Sequence, residues 1–158
     1  MKKRLFLLLT ILTALNSFAQ IDLEKGYFIN NSNIKTECFI KNIDWLDNPV
    51  EFEYKLTPES GYISAKINSV KEFGIYDKSK YIRAKVAMDR SSTKAAELSI
   101  SKIPVFKEEE LFLKVLVEGK ANLYEYIDGN LLRFFYSIDN SAISQLVYKQ
   151  YQETVEIR

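Results

Sequence analysis

Period-two alternation of apolar and polar side chains runs through most of this chain, and that period belongs to strands, not helices. Residues 81–89 (YIRAKVAMD) show it best. Ile82, Ala84, Val86 and Met88 fall on one face, while Tyr81, Arg83, Lys85 and Asp89 fall on the other. Residues 50–56 repeat the pattern, with Val50, Phe52, Tyr54 and Leu56 set against Glu51, Glu53 and Lys55. In residues 62–67, Ile63, Ala65 and Ile67 share a face. Between these two runs, residues 57–61 (TPESG) carry Pro, Ser and Gly, which predicts a hairpin.

Further turn signals divide the remainder. Asn31–Asn33 separates residues 25–30 from residues 34–43. Residues 111–118 (LFLKVLVE) are apolar on both faces apart from Lys114 and Glu118, as expected of a strand covered on two sides, so they are placed centrally in the sheet. Gly119-Lys120 suits a two-residue type II′ turn with Gly first. Asp128-Gly129-Asn130 marks another turn, and residues 131–138 and 143–151 complete a four-strand meander. Residues 44–49 (DWLDNP) read as a loop with Trp45 as an apolar plug beneath it. Residues 90–106 form a long connection, with room for one helical turn at residues 93–98 and with Pro104 barred from a central strand. This connection is the candidate for a variable binding loop. The expected fold is all-β: an antiparallel roll, open barrel or sandwich of about eight to ten short strands. A membrane-spanning barrel is disfavoured, because most runs are shorter than the roughly 9–11 residues a transmembrane strand needs.

The first twenty residues set the address. Lys2, Lys3 and Arg4 precede an uncharged apolar run at residues 5–15 (LFLLLTILTAL), and Ser17 and Ala19 are small at the −3 and −1 positions of a cut before Gln20. This is the layout of a secretory signal peptide. The run is too short to span a bilayer, which takes roughly 20 apolar residues. The domain division is therefore a signal peptide at residues 1–19 and a single β-rich domain at residues 20–158. The expected location is the periplasm, the outer membrane's inner side, or outside the cell. Beyond residue 19 there are 19 basic and 21 acidic residues, so the exported domain has no electrostatic pull on nucleic acid or on an anionic membrane.

Several chemistries are closed. Without histidine there is no Ser-His-Asp or Cys-His machinery, and with one cysteine the common zinc constellations are missing. The five glycines form neither a phosphate loop nor a G-x-G-x-x-G motif. Glu108, Glu109 and Glu110 are the densest acidic cluster, but strand neighbours point to opposite faces, so they read as a solvated strand entry. Cys38 alternates with its neighbours in residues 34–43 (IKTECFIKNI) and reads as a buried strand cysteine. The chain is expected to be no enzyme, with no catalytic residues, no metal and no cofactor.

The sequences at residues 25–29 (KGYFI), 34–38 (IKTEC), 52–55 (FEYK), 70–76 (VKEFGIY) and 111–121 (LFLKVLVEGKA) resemble a family of exported proteins from flavobacteria and related Bacteroidetes with no established function. The likeness covers most of residues 20–151. In longer members this region precedes an outer-membrane β-barrel, and this chain departs from them by stopping at Arg158. Some relatives carry a label of tRNA modification GTPase, which the missing phosphate loop and the export signal contradict. The resemblance implies an envelope setting and supplies no catalytic residues.

The function expected from these readings is a non-catalytic protein-interaction module of the cell envelope, with a lipocalin-like carrier of a small apolar ligand as the alternative. The partner would be an envelope or outer-membrane protein, with no nucleic acid or nucleotide. Exposed strand edges pair readily with a further strand. The last strand is taken as that edge, which makes Ile143, Gln145, Val147, Lys149 and Tyr151 the candidate binding residues.

Overall fold

The computed structural model describes residues 22–139 and 141–153. The leader expected at residues 1–19 lies outside the described residues. Among the described residues, no helix is long and apolar enough to cross a membrane.

The fold is all-β, one ten-stranded antiparallel sheet curled into a half-barrel. In chain order the strands are β1 (Asp22–Asn30), β2 (Lys35–Asn42), β3 (Glu51–Lys55), β4 (Ile63–Lys66), β5 (Val70–Ile75), β6 (Ser79–Asp89), β7 (Phe106–Val117), β8 (Ala121–Asp128), β9 (Leu131–Ile138) and β10 (Ser144–Leu146). Their order across the sheet is β10-β9-β8-β7-β6-β5-β1-β2-β3-β4. Three of the predicted turns fall where expected. At Asn31–Asn33 the chain reverses with Asn33 at φ 61°, and Asn30 N donates to Ile34 O at 3.1 Å. Residues 57–60 link β3 to β4, with Ser60 N donating to Thr57 O. Gly129 takes φ 59° at the first position of the two-residue β8–β9 turn, the type II′ pattern. The long connection holds one short 3₁₀ turn, Ala95–Glu97.

The turn at Gly119 differs from expectation. Gly119 does not adopt the positive φ that a II′ turn requires, and the β7–β8 connection is three residues long. A bulge shifts the register between Val115 and Val117, and the Asn122 side chain accepts from Gly119 N at 3.0 Å. The extra bulge residue supplies the reversal that a left-handed glycine would otherwise provide.

The sheet buries opposite faces at its two ends. One core contains Cys38, Ile40, Phe52, Phe73, Tyr81 and Phe112. The other contains Val86, Met88, Leu111, Leu113, Tyr124, Tyr126 and Phe135. Phe112 sits between Leu111 and Leu113 on one strand, and strand neighbours point to opposite faces, so the two cores lie on opposite sides of β7. This explains why residues 111–113 are apolar throughout. It also corrects the reading of residues 81–89. Ile82, Ala84, Val86 and Met88 do face one core, but Tyr81 on the other face is buried in the first core, and Asp89 is buried as well. Trp45 plugs the first core as expected, edge-on to Phe73 and Tyr81 at centroid distances of 5.9 Å. Cys38 is buried and unpaired.

β7 and β8 pair only near their connection, at Lys114, Val115 and Val117. Further along they part, and Asn48 from the 44–49 loop occupies the gap. Its N donates to Ile127 O at 2.8 Å, its Oδ1 accepts from Ile127 N at 2.9 Å, and its Nδ2 donates to Phe112 O and Glu125 O at 2.8 and 2.9 Å. Arg90 makes a second bridge over the parting. It grips Glu109 of β7 through two bonds of 2.8 Å and reaches Asp128 of β8 at 2.8 Å.

Candidate interaction surface

β9 carries apolar residues on both faces. Arg133, Phe135 and Ser137 point into the second core and are buried. Leu132, Phe134, Tyr136 and Ile138 point the other way. On that outer face, register puts Leu123 beside Tyr136 and Ile127 beside Leu132, while on β10 Leu146 pairs with Phe134. Val117 of β7 pairs with Leu123. No described strand covers this stripe: Leu132 is 46% exposed, Ile138 54%, Leu146 47% and Val117 53%. A contiguous exposed apolar face is uncommon on a soluble domain and marks contact sites.

Beside the stripe runs a groove of about 490 Å³, where the chain leaves β9 after Leu146. Leu132, Phe134, Leu146 and Tyr148 form its apolar walls, and Thr93, Asn130 and Gln150 its polar lip. On the inner side of β9 and β10 lies a buried polar knot. Gln145 Oε1 accepts from Asp89 N at 2.8 Å, which ties β10 to the end of β6. Gln145 Nε2 is buried without a hydrogen-bond partner among the described residues. Arg133 donates through Nε to Asp89 O at 2.8 Å, and through its other nitrogens to the carbonyls of Leu132 and Ser91. Burial pushes the Arg133 guanidinium below its usual value. Burial also opposes charge on Asp89, but donors from Ser91 and Val105 outweigh it and hold the carboxyl below its ordinary value. Among the described residues, no group of three or more acidic or cysteine side chains is placed to hold a metal. Glu108, Glu109 and Glu110 turn to three different cations, Lys85, Arg90 and Arg83.

The five residues expected at the binding edge divide between the two sides of the chain. Ile143 packs against the second core, and Gln145 is buried against Asp89. Val147 is 52% exposed. Lys149 Nζ donates to Ile103 O at 2.6 Å, and Tyr151 makes an isolated bridge to Ser99. β10 is three residues long and ends the strand order, and the Gln145 side chain ties its inner face to β6. Lys149 and Tyr151 serve instead to hold the long 90–105 connection. Beside Val147, the apolar residues open to solvent include Leu146 and Tyr148, with Leu132, Tyr136 and Ile138 of β9, which the sequence did not single out. The signal was present: residues 131–138 (LLRFFYSI) are apolar on both faces, the same feature that placed residues 111–118 centrally.

Comparison with protein-family models, with curated proteins and with solved structures finds no match.

Proposed function

We propose that the protein is an exported, non-catalytic interaction module of the cell envelope, and that the outer face of β7–β10 docks on the apolar surface of another envelope protein. One observation carries this reading: Leu132, Tyr136, Ile138 and Leu146 stand side by side and exposed on a sheet face that no described strand covers. Solvent-exposed apolar area of this kind gains free energy when a partner removes it from water, about 25 cal/mol per Å². The signal-peptide layout of residues 1–19 and the resemblance to exported proteins supply the envelope setting. The alternative, a lipocalin-like carrier, calls for an enclosed apolar cavity of roughly 300 Å³ or more. Phe73, Phe112 and Phe135 fill the two cores, and the groove lies outside them. That arrangement favours the module.

The test is site-specific photo-cross-linking in the producing cell, with the reactive residue at position 138 and a control at position 59 in the β3–β4 turn. The expected result is a discrete envelope-protein adduct from position 138 that position 59 does not give. No adduct at 138, or the same adducts from both positions, sinks the proposal.

A further inference from the structure

Register fixes which main-chain groups of β9 face outward. The two-residue turn at Gly129-Asn130 makes Asp128 and Leu131 the closing hydrogen-bonded pair of the β8–β9 ladder. Alternation then turns Arg133 and Phe135 towards β8, and Leu132, Phe134 and Tyr136 away from it. Two independent contacts agree. Ile127, which stands opposite Leu132, spends its own N–H and C=O on Asn48 and not on β9. Leu132 O accepts from the Arg133 side chain and not from a β8 amide. β10 covers Phe134 and Tyr136, pairing with them through Leu146 and Ser144, and then ends. Residues 147–150 continue past Leu132 without pairing, and the groove fills the space between. The Leu132 N–H therefore points into an apolar-walled trough with no acceptor among the described residues.

We infer that this trough receives a short extended segment of a partner protein as an added strand, in line with β10 and hydrogen-bonded to the main chain of Leu132. The inference rests on the interaction-module reading and names the chemistry of what enters. An unpaired N–H beside a carbonyl at the end of a ladder is matched by another backbone in β conformation. One medium apolar side chain of that segment sits among Leu132, Phe134, Leu146 and Tyr148. Its neighbours on either side, which point out of the trough, meet the polar lip at Thr93, Asn130 and Gln150. The incoming segment thus alternates apolar and uncharged polar residues. The slot lies at β9, inside the groove and in line with β10.

The probe is a hexapeptide alternating threonine and valine, acetylated and amidated at its ends, with a fully N-methylated version as control. The control keeps every side chain and carbonyl but cannot donate to Leu132 O, whose second lone pair is open beside Arg133 Nη1. Titration into the exported domain is followed by amide NMR. The expected result is saturable shifts at Leu132, Leu146 and Tyr148, slowed exchange of the Leu132 amide, and at least about tenfold weaker binding of the methylated peptide. Leu132→Pro removes the outward donor together with one apolar wall of the trough and is expected to weaken binding by at least a similar factor. If that variant does not fold, Leu146→Trp, which fills the trough, makes the decision by the same loss. Equal binding of the two peptides, failure of the parent peptide to bind at millimolar concentration, or shifts confined to Tyr136 and Ile138 overturns the slot. The last outcome leaves the docking face standing. Slot binding without the position-138 adduct removes the face and keeps the slot.

Discussion

Asn48 and Ile127, 79 residues apart, exchange two hydrogen bonds: Asn48 N to Ile127 O at 2.8 Å, and Ile127 N to Asn48 Oδ1 at 2.9 Å. One residue of a loop thereby does what a strand residue does in a ladder, at the point where β7 and β8 part. Its Nδ2 completes the bridge to Phe112 O and Glu125 O. Asn48→Asp keeps the shape but replaces the donor with an acceptor facing two carbonyls. The expected loss is about 2–3 kcal/mol, read from the urea midpoint at unchanged m-value. Asn48→Asp with wild-type stability contradicts the bridge.

Gly26 of β1 lies against Gly74 of β5, with register pairing Gly26 to Ile75 and Tyr27 to Gly74. A Cβ on Gly26 would collide with the Gly74 carbonyl oxygen and come within 2.9 Å of Ile40 Cδ1. Gly26→Ala is therefore expected to cost about 1–3 kcal/mol through overpacking. Gly61→Ala serves as the control, since a Cβ there meets nothing within 4 Å. Thermal unfolding of the two variants side by side is the measurement.

Burial raises the Cys38 thiol pKa to about 12 from its ordinary 9.0. Native protein is expected to resist iodoacetamide at pH 8.5, and protein in urea to react fully. The same shift sets a sign for stability. Above pH 9 the unfolded thiol loses its proton while the folded one keeps it, so stability falls as pH rises from 9 towards 12. Burial likewise raises Tyr81 to about 12 from 10.0, and it contributes in the same sense. Cys38→Ala should flatten the decline without abolishing it, as measured by denaturant midpoints across that range.

Gln145→Ala unties β10 from β6. The Asp89 N–H loses its acceptor in a buried setting, for an expected cost of about 1–2 kcal/mol. Hydrogen exchange should report faster opening of β10 than of β8. Uniform loss of protection across the sheet argues against a local role for this contact.

Tyr136→Lys on the outer face is expected to change stability by no more than about 0.5 kcal/mol, because the side chain is open to solvent. The same substitution should abolish the position-138 adduct. A large loss of stability instead means that the face is structural.

Strand positions and most turns were legible because each strand needs only its own alternation and its flanking Gly, Asn or Asp. Asn33 and Gly129 show this, both at positive φ where a reversal was read. What sequence could not display is the exchange of buried face along the sheet. Tyr81 looks like part of a polar face beside Arg83 and Lys85, and it is buried because Phe73 and Phe112 meet it from the two flanking strands, β5 and β7. Asn48 carries no local signal, since its three partner residues all lie more than 60 residues away. For the last strand, alternation alone leaves open which parity faces the core. Gln145 takes the inner side because Asp89 supplies a donor there, and that places Leu146 and Tyr148 outside.

Leu111, Phe112 and Leu113 join the two cores through one strand, so the halves of the sheet share a hinge pin. Sliding β7 by a single residue would send Phe112 into the wrong interior and both leucines out of theirs. Dividing the chain in the β5–β6 turn would strip the first half of Tyr81 and Phe112 and leave their side of β6 and β7 bare in the second. Neither piece can then melt, fold or be inherited by itself, even though the sheet looks separable on either side of β6.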